Sequence, residues 1–239
     1  MKKFLNLVSI VLIMTILSAC VYSSSVDNNQ PTQVEEAGEL KVMDQFSRIN
    51  LAGSMQVIYS QGDKYTVRVD APQQAMEKLV IYVKSKELNI GSKDEFLGFN
   101  NAISDIKIYV TSPVIKQIDL TGSGDLTVNN AVSVGRLDVE LTGAGHLNFA
   151  GALTCSFLDV DLTGSGNIDF ANVKAGKIET DITGVGNVSY TNVSAGTIGS
   201  NITGAGNITI AGSAEKHILN ITGVGNVDDS GLKVGKLVG

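Results

Sequence analysis

One seven-residue phrase occurs six times in the second half of this chain: Leu or Ile, Thr-Gly-x-Gly, then Asn, Asp or His, then an aliphatic residue. The copies begin at Leu120, Leu141, Leu162, Ile182, Ile202 and Ile221, at intervals of 21, 21, 20, 20 and 19 residues. A beat of this length belongs to stacked supersecondary units, each too small to bury an apolar face alone. It points to a solenoid and names no reaction.

Alternation between the copies assigns the unit to strands. Leu137, Val139 and Leu141 fall on one side of an extended chain and Asp138, Glu140 and Thr142 on the other. Leu158, Val160 and Leu162 against Asp159, Asp161 and Thr163 repeat the pattern one unit later. The aliphatic set must face inward, so the acids face out. A second aliphatic position follows each Gly pair, at Leu126, Leu147, Ile168, Val188, Ile208 and Val227. Strands joined at a Gly-x-Gly corner, with further strands closing a coil of about 20 residues, make an all-β parallel β-helix.

The first Gly column (Gly122 to Gly223) and the second (Gly124 to Gly225) suit a tight corner needing positive φ or close backbone approach in every coil. Asp125, His146, Asn167, Asn187, Asn207 and Asn226 form the next column, where amides can bond along a stack. A nucleotide site does not fit, because no third Gly opens a helix. The calcium-binding nonapeptide roll fails on period, and Asp occupies the key position only at 125. Neither a cofactor nor a metal site is expected; His146 and His217 show no evident partner for a triad or a metal.

The outward acids line up as two columns: Asp119, Glu140, Asp161 and Asp181, and, two residues upstream, Asp138, Asp159 and Glu179. Stacking at ~4.8 Å sets like charges against each other at roughly 1 kcal/mol per pair even in water. Solvent, salt and nearby Arg136, Lys174 and Lys177 can offset this, or a cationic ligand can. Clustered acids on an exposed sheet also occur in β-helix polysaccharide enzymes, but no nucleophile–base pair is visible.

Residues 46–113 carry alternating runs, at Ile49 to Leu51, Met55 to Tyr59, Tyr65 to Val69, Leu79 to Val83, Leu88 to Ile90 and Ile106 to Val110. Gln61-Gly62-Asp63 reads as a hairpin turn, Pro72 to Lys78 as a short helical excursion, and Asp94 to Ser104 as a polar loop holding Phe96, Leu97 and Phe99. Leu51-Ala52-Gly53-Ser54-Met55 is a worn copy of the later phrase, so 45–113 is expected to be the irregular first portion of the solenoid and 114–229 its regular coils.

Lys2 and Lys3 precede an apolar run from Phe4 to Leu17, which reads as a secretory signal over 1–19. It ends in Leu17-Ser18-Ala19-Cys20, similar to the bacterial lipobox, so Cys20 is expected to carry the lipid anchor. Residues 20–44 are rich in Ser, Asn, Gln and Glu and read as a disordered tether. Cleavage removes two of 18 basic residues and none of 24 acids, leaving −8, which excludes nucleic acid as a partner. Cys155 is then a lone thiol, read as a small buried hydrophobe.

Phe46 to Asp63 (FSRINLAGSMQVIYSQGD), Lys86 to Ile90 (KELNI) and the Gly-x-Gly-Asn repeats resemble the GIN-domain family, described as an autotransporter-adhesin head domain. The resemblance covers about 44–229, and 45–239 is assigned to a GIN-like β-helix. It implies a right-handed, single-stranded parallel β-helix on an exported, often lipidated protein of Gram-negative envelopes, here anchored at the outer membrane. It carries over no catalytic residue. The expected function is a non-catalytic envelope lipoprotein presenting a face to a glycan or to an envelope or host protein, with the acidic columns as the ligand-facing residues. A structural spacer and a carbohydrate-active enzyme are the alternatives. Oligomeric state stays open, and Asp228, Asp229 and Lys233 are expected to guard the last coil by charge unless it docks on a second copy.

Overall fold

The computed structural model describes Val34, residues 36–93 and residues 106–238, all within one compact unit, Pro31–Gly239. The signal over 1–19, Cys20, the tether as far as residue 33 together with residue 35, and the whole of the polar loop lie outside the described residues. Among the described residues, no helix is long and apolar enough to cross a membrane.

The regular coils are nearly continuous strands that turn corners. They are β8 (Gln117–Gly122), β9 (Asp125–Val128), β10 (Val132–Ser133), β11 (Arg136–Gly143), β12 (His146–Gly164), β13 (Asn167–Gly184), β14 (Asn187–Gly204), β15 (Asn207–Gly223) and β16 (Asn226–Val238). Every contact between coils is parallel and stacks each phrase on the next, Leu141 on Leu162, Ile182 on Ile202. The solenoid read from the repeat is therefore present. Three inward runs, represented by Leu147 and Phe149, Leu153 and Cys155, and Leu158, Val160 and Leu162, are separated by corners where alternation breaks.

Sequence dictates the first corner rigidly. Gly143 sits at φ +126°, and its counterparts from Gly53 to Gly223 fall between +117° and +127°, a region that disfavours L side chains. The second glycine column has a different cause: a Cβ on Gly166 would collide with Leu141 Cδ2 and with the Gly145 carbonyl. The second corner is looser. Every one-residue change in register falls there, between Phe149 and Ala152, between Tyr190 and Val193, and between Thr209 and Ala211.

Inside, columns hold like residues. Phe149, Phe170 and Tyr190 stack at centroid separations of 4.7 and 5.1 Å, geometry that adds to their area burial. Cys155 is buried in a column with Ala175, Ala195 and Ala214, as expected of a small hydrophobe. Burial raises its thiol to about 11, so the thiolate is scarce.

The first rungs are built from β2 (Arg48–Gly53) and β3 (Gln56–Gln61), and the worn phrase falls in register, Leu51 on Leu120 and Gly53 on Gly122. Beyond them the chain adds β1 (Leu40–Val42), β4 (Thr66–Asp70), α1 (Gln73–Met76), β5 (Leu79–Lys84), β6 (Glu87–Ser92) and β7 (Lys107–Ser112). β6 is parallel to β2 and β7 to β3, whereas β5, β4 and β1 are antiparallel additions. Two expectations change here. Gln61-Gly62-Asp63 does not close a hairpin, because β3 pairs with β7 and β4 joins the far side of β7. The end of the expected tether is folded: Leu40–Val42 pair with β4, and Val34 and Met43 are buried. The actual hairpin is β5–β6, turning at Ser85 and Lys86 with φ of 52° and 62°.

Candidate functional site

The two acidic columns assemble as read. Asp119 neighbours Glu140, which neighbours Asp161 and then Asp181, while Asp138, Asp159 and Glu179 stack beside them. Parallel, in-register pairing has no alternative that keeps the Leu, Val and Ile columns inside, because a one-residue slip would turn them outward. Next to the acids runs an exposed row of Thr121, Thr142, Thr163, Thr183, Thr203 and Thr222.

Among the described residues, ion pairs form on only one of the acidic columns. Arg136 places Nε 2.6 Å from Asp138 and Nη2 2.7 Å from Asp159, with its guanidinium 4.2 Å from the Phe157 ring centroid. Lys177 Nζ lies 2.6 Å from Glu179. Lys174, expected to help, instead lines a different surface with Thr154, Asn172 and Asn192. Among the described residues no ion pair reaches Glu140, Asp161 or Asp181. Asp119 instead accepts from Gln117 Nε2, at 3.0 Å to each oxygen.

The titration directions follow this geometry. Desolvation raises the Asp161 carboxyl above its ordinary value, and Asp159, Asp181, Glu140 and Asp138 push it the same way. Desolvation also raises Asp119, against the Gln117 hydrogen bond, and raises Asp159, against Arg136. A face whose carboxylates are desolvated and mutually repelled favours neutralising or hydrogen-bonding contacts. Among the described residues no group of three or more His, Cys, Asp or Glu side chains is arranged to hold a metal ion.

The sheet extends this face beyond the repeats. Strand order runs β11, β8, β2, β6, β5, so the row of Asp119 continues outward through Asn50 and Asn89 to Tyr82, and the Thr row through Ala52 and Gly91 to Val80. No sequence periodicity relates Tyr82 to the acids; only the antiparallel hairpin brings them into line.

Both histidines find partners that sequence reasoning missed. His146 Nε2 lies 2.8 Å from Asp169 on the surface. His217 links Ser200 Oγ, 3.0 Å from its Nε2, to Asp229 Oδ2, 3.1 Å from its Nδ1. The order Ser–His–Asp is that of a hydrolytic triad, but Ser200 and His217 are both 0% exposed. No substrate carbonyl can approach Ser200 Oγ, so the array closes the polar end of the core and offers no catalysis. Asp229, expected to guard the last coil by charge, remains about one-third exposed while one oxygen pairs with His217; with Ser230 it forms the bulge opposite buried Ile210.

A family model described as "putative auto-transporter adhesin, head GIN domain" matches residues 45–171 and 155–238. The chain belongs to this family. The GIN fold is also shared with solved structures. A "putative adhesin" from Bacteroides fragilis is 22% identical with a TM-score of 0.63, covering 84% of this chain and 97% of its own. A "putative adhesin" from Parabacteroides distasonis is 18% identical with a TM-score of 0.68 and the same coverage. Another, from Parabacteroides merdae, is 16% identical with a TM-score of 0.64, covering 89% of this chain and 94% of its own. No curated protein matches. At these identities the likeness concerns the GIN fold, and the chemistry rests on the residues above.

Proposed function

We propose that this GIN-domain protein is a non-catalytic adhesin of the cell envelope, held at the outer membrane by lipid on Cys20, and that it binds its partner across the outward face of the sheet. The observation that carries this reading is the continuity of that face. Acidic and Thr rows keep strict register across the coils, and four of the seven acids, Asp119, Glu140, Asp161 and Asp181, have no cation partner among the described residues. The inner columns alone set the register, but acids recur at these outward positions in spite of their mutual repulsion, and a repeating ligand has a use for that. The adhesin naming of the family supports a binding role.

Neutralising Asp138, Glu140, Asp159 and Asp161 to their amides should abolish retention on arrays of glycans and surface proteins while leaving the fold intact. No retention by the unaltered protein would instead favour the structural spacer, and retention unchanged by the four substitutions would overturn the outward face as the binding surface. Replacing Cys20 with Ala should move the protein from the membrane to the soluble fraction, and mass spectrometry of the N-terminal peptide should show acyl chains on Cys20.

A further inference from the structure

Where the outward face crosses β2, β6 and β5, its relief changes. A trough of about 190 Å³ opens there, lined by Asn50, Ala52, Tyr82, Asn89 and Gly91. Its cause is local: the Thr row gives way to Ala52 and then Gly91, so side chains vanish from the floor between Thr121 and Val80. Tyr82, directly across from Asn89, supplies an aromatic wall.

The polar groups converge with capacity to spare. Asn50 Nδ2 makes a long 3.5 Å contact to Asn89 Oδ1, and Asn89 Nδ2 donates to the Glu87 carbonyl at 3.2 Å. Each amide offers two donors and two acceptor lone pairs. Among the described residues this leaves Asn50 Oδ1 wholly available and at least one N–H on each amide. Groups that donate and accept side by side suit vicinal hydroxyls, which do the same, while a half-buried phenol ring offers an apolar surface with a polar tip. The volume is below the roughly 300 Å³ at which drug-sized pockets begin, so it admits one ring of a longer ligand. Asp119 follows on the next rung, and the acids beyond it repel anions.

We propose that Tyr82, Asn50 and Asn89, over the floor of Gly91 and Ala52, form a subsite for one non-anionic hexopyranose ring of a glycan whose chain continues over the acidic and Thr rows. The ring stacks its apolar face on Tyr82 and its hydroxyls bond the two amides. This rests on the reading of the outward face as the binding surface and names its partner class.

The test uses the full chain on an array of neutral, amino-substituted and uronic-acid oligosaccharides. Gly91 has ordinary extended backbone, and a Cβ there meets only the Ala52 carbonyl at 3.9 Å, so Gly91→Val fills the trough without disturbing the fold. Gly91→Val and Tyr82→Ala should each weaken binding of neutral or amino-substituted glycans by about tenfold or more, while Tyr82→Phe keeps it within about threefold. Thermal melts should show all three variants folded. Glycan binding that is lost on neutralising the acids but indifferent to Gly91→Val and Tyr82→Ala overturns the subsite and leaves the face reading standing. Preference for uronic-acid chains, or retention of proteins but no glycan, also overturns the subsite. Indifference to both sets of variants overturns both readings.

Discussion

Asp161 has four carboxylates acting on it and, among the described residues, no ion pair, and its raised titration makes it a net cost to the folded state when ionised. The sign is fixed by linkage. A folded-state value above the ordinary 3.8 means the native protein binds more protons between the two values, so stability falls as pH rises through that interval. Melting temperature should accordingly fall as pH is raised from about 3.8 toward neutrality, by the part these three carboxyls contribute. Asp161→Asn should raise it at neutral pH and shrink that fall, as differential scanning calorimetry would show. Opposite behaviour is expected of the corner: Gly166→Ala drives a Cβ into Leu141 and the Gly145 carbonyl, and should destabilise by roughly 1–3 kcal/mol in denaturant titrations.

Among elements, the regular strands were legible because inside and outside alternate with period two and the glycine corners reset the count. That logic placed all seven acids correctly, as well as Cys155. It failed where pairing depends on distant segments. Nothing between Tyr65 and Lys86 announces that β4 crosses to β7 or that β5 and β6 form the hairpin, because Ser85 and Lys86 lack the Asn-Gly signature of such turns. Tyr82 was invisible as a neighbour of the acids for the same reason. His217 was missed because its column otherwise holds Leu137, Leu158, Ile178 and Ile198, and its partners lie 17 residues before and 12 after it. Asp229→Ala should strand a buried His217 nitrogen and cost about 1–3 kcal/mol. Hydrogen exchange should then quicken in β15 and β16 while β12 and β13 stay protected. Replacing Ser200, His217 and Asp229 together with aliphatics should recover most of the loss.

At the scale of the molecule, stability is a sum over rungs and the interfaces between them. The acidic face runs through several of those interfaces, so its repulsion acts on the whole stack. Charges ~4.8 Å apart lie inside the ~10 Å Debye length at 0.1 M salt. Raising sodium chloride from about 0.02 to 0.3 M should therefore raise the melting temperature, and the fourfold amide variant should lose most of that response. Identical salt dependence in the two proteins would show that the face contributes nothing to the energetics of the stack.

The second corner has a use that reaches past packing. Coils of 21, 20 and 19 residues coexist because each gained or lost residue is taken up there, after the Phe149 column, and never on the side that carries the acids. The molecule is in effect a ruler whose slack is confined to one joint, so length can drift by mutation without moving a single graduation. Two residues inserted after Ala171 should leave ligand binding unchanged, whereas one residue inserted after Thr180 should invert the facing of everything up to the next glycine and abolish it.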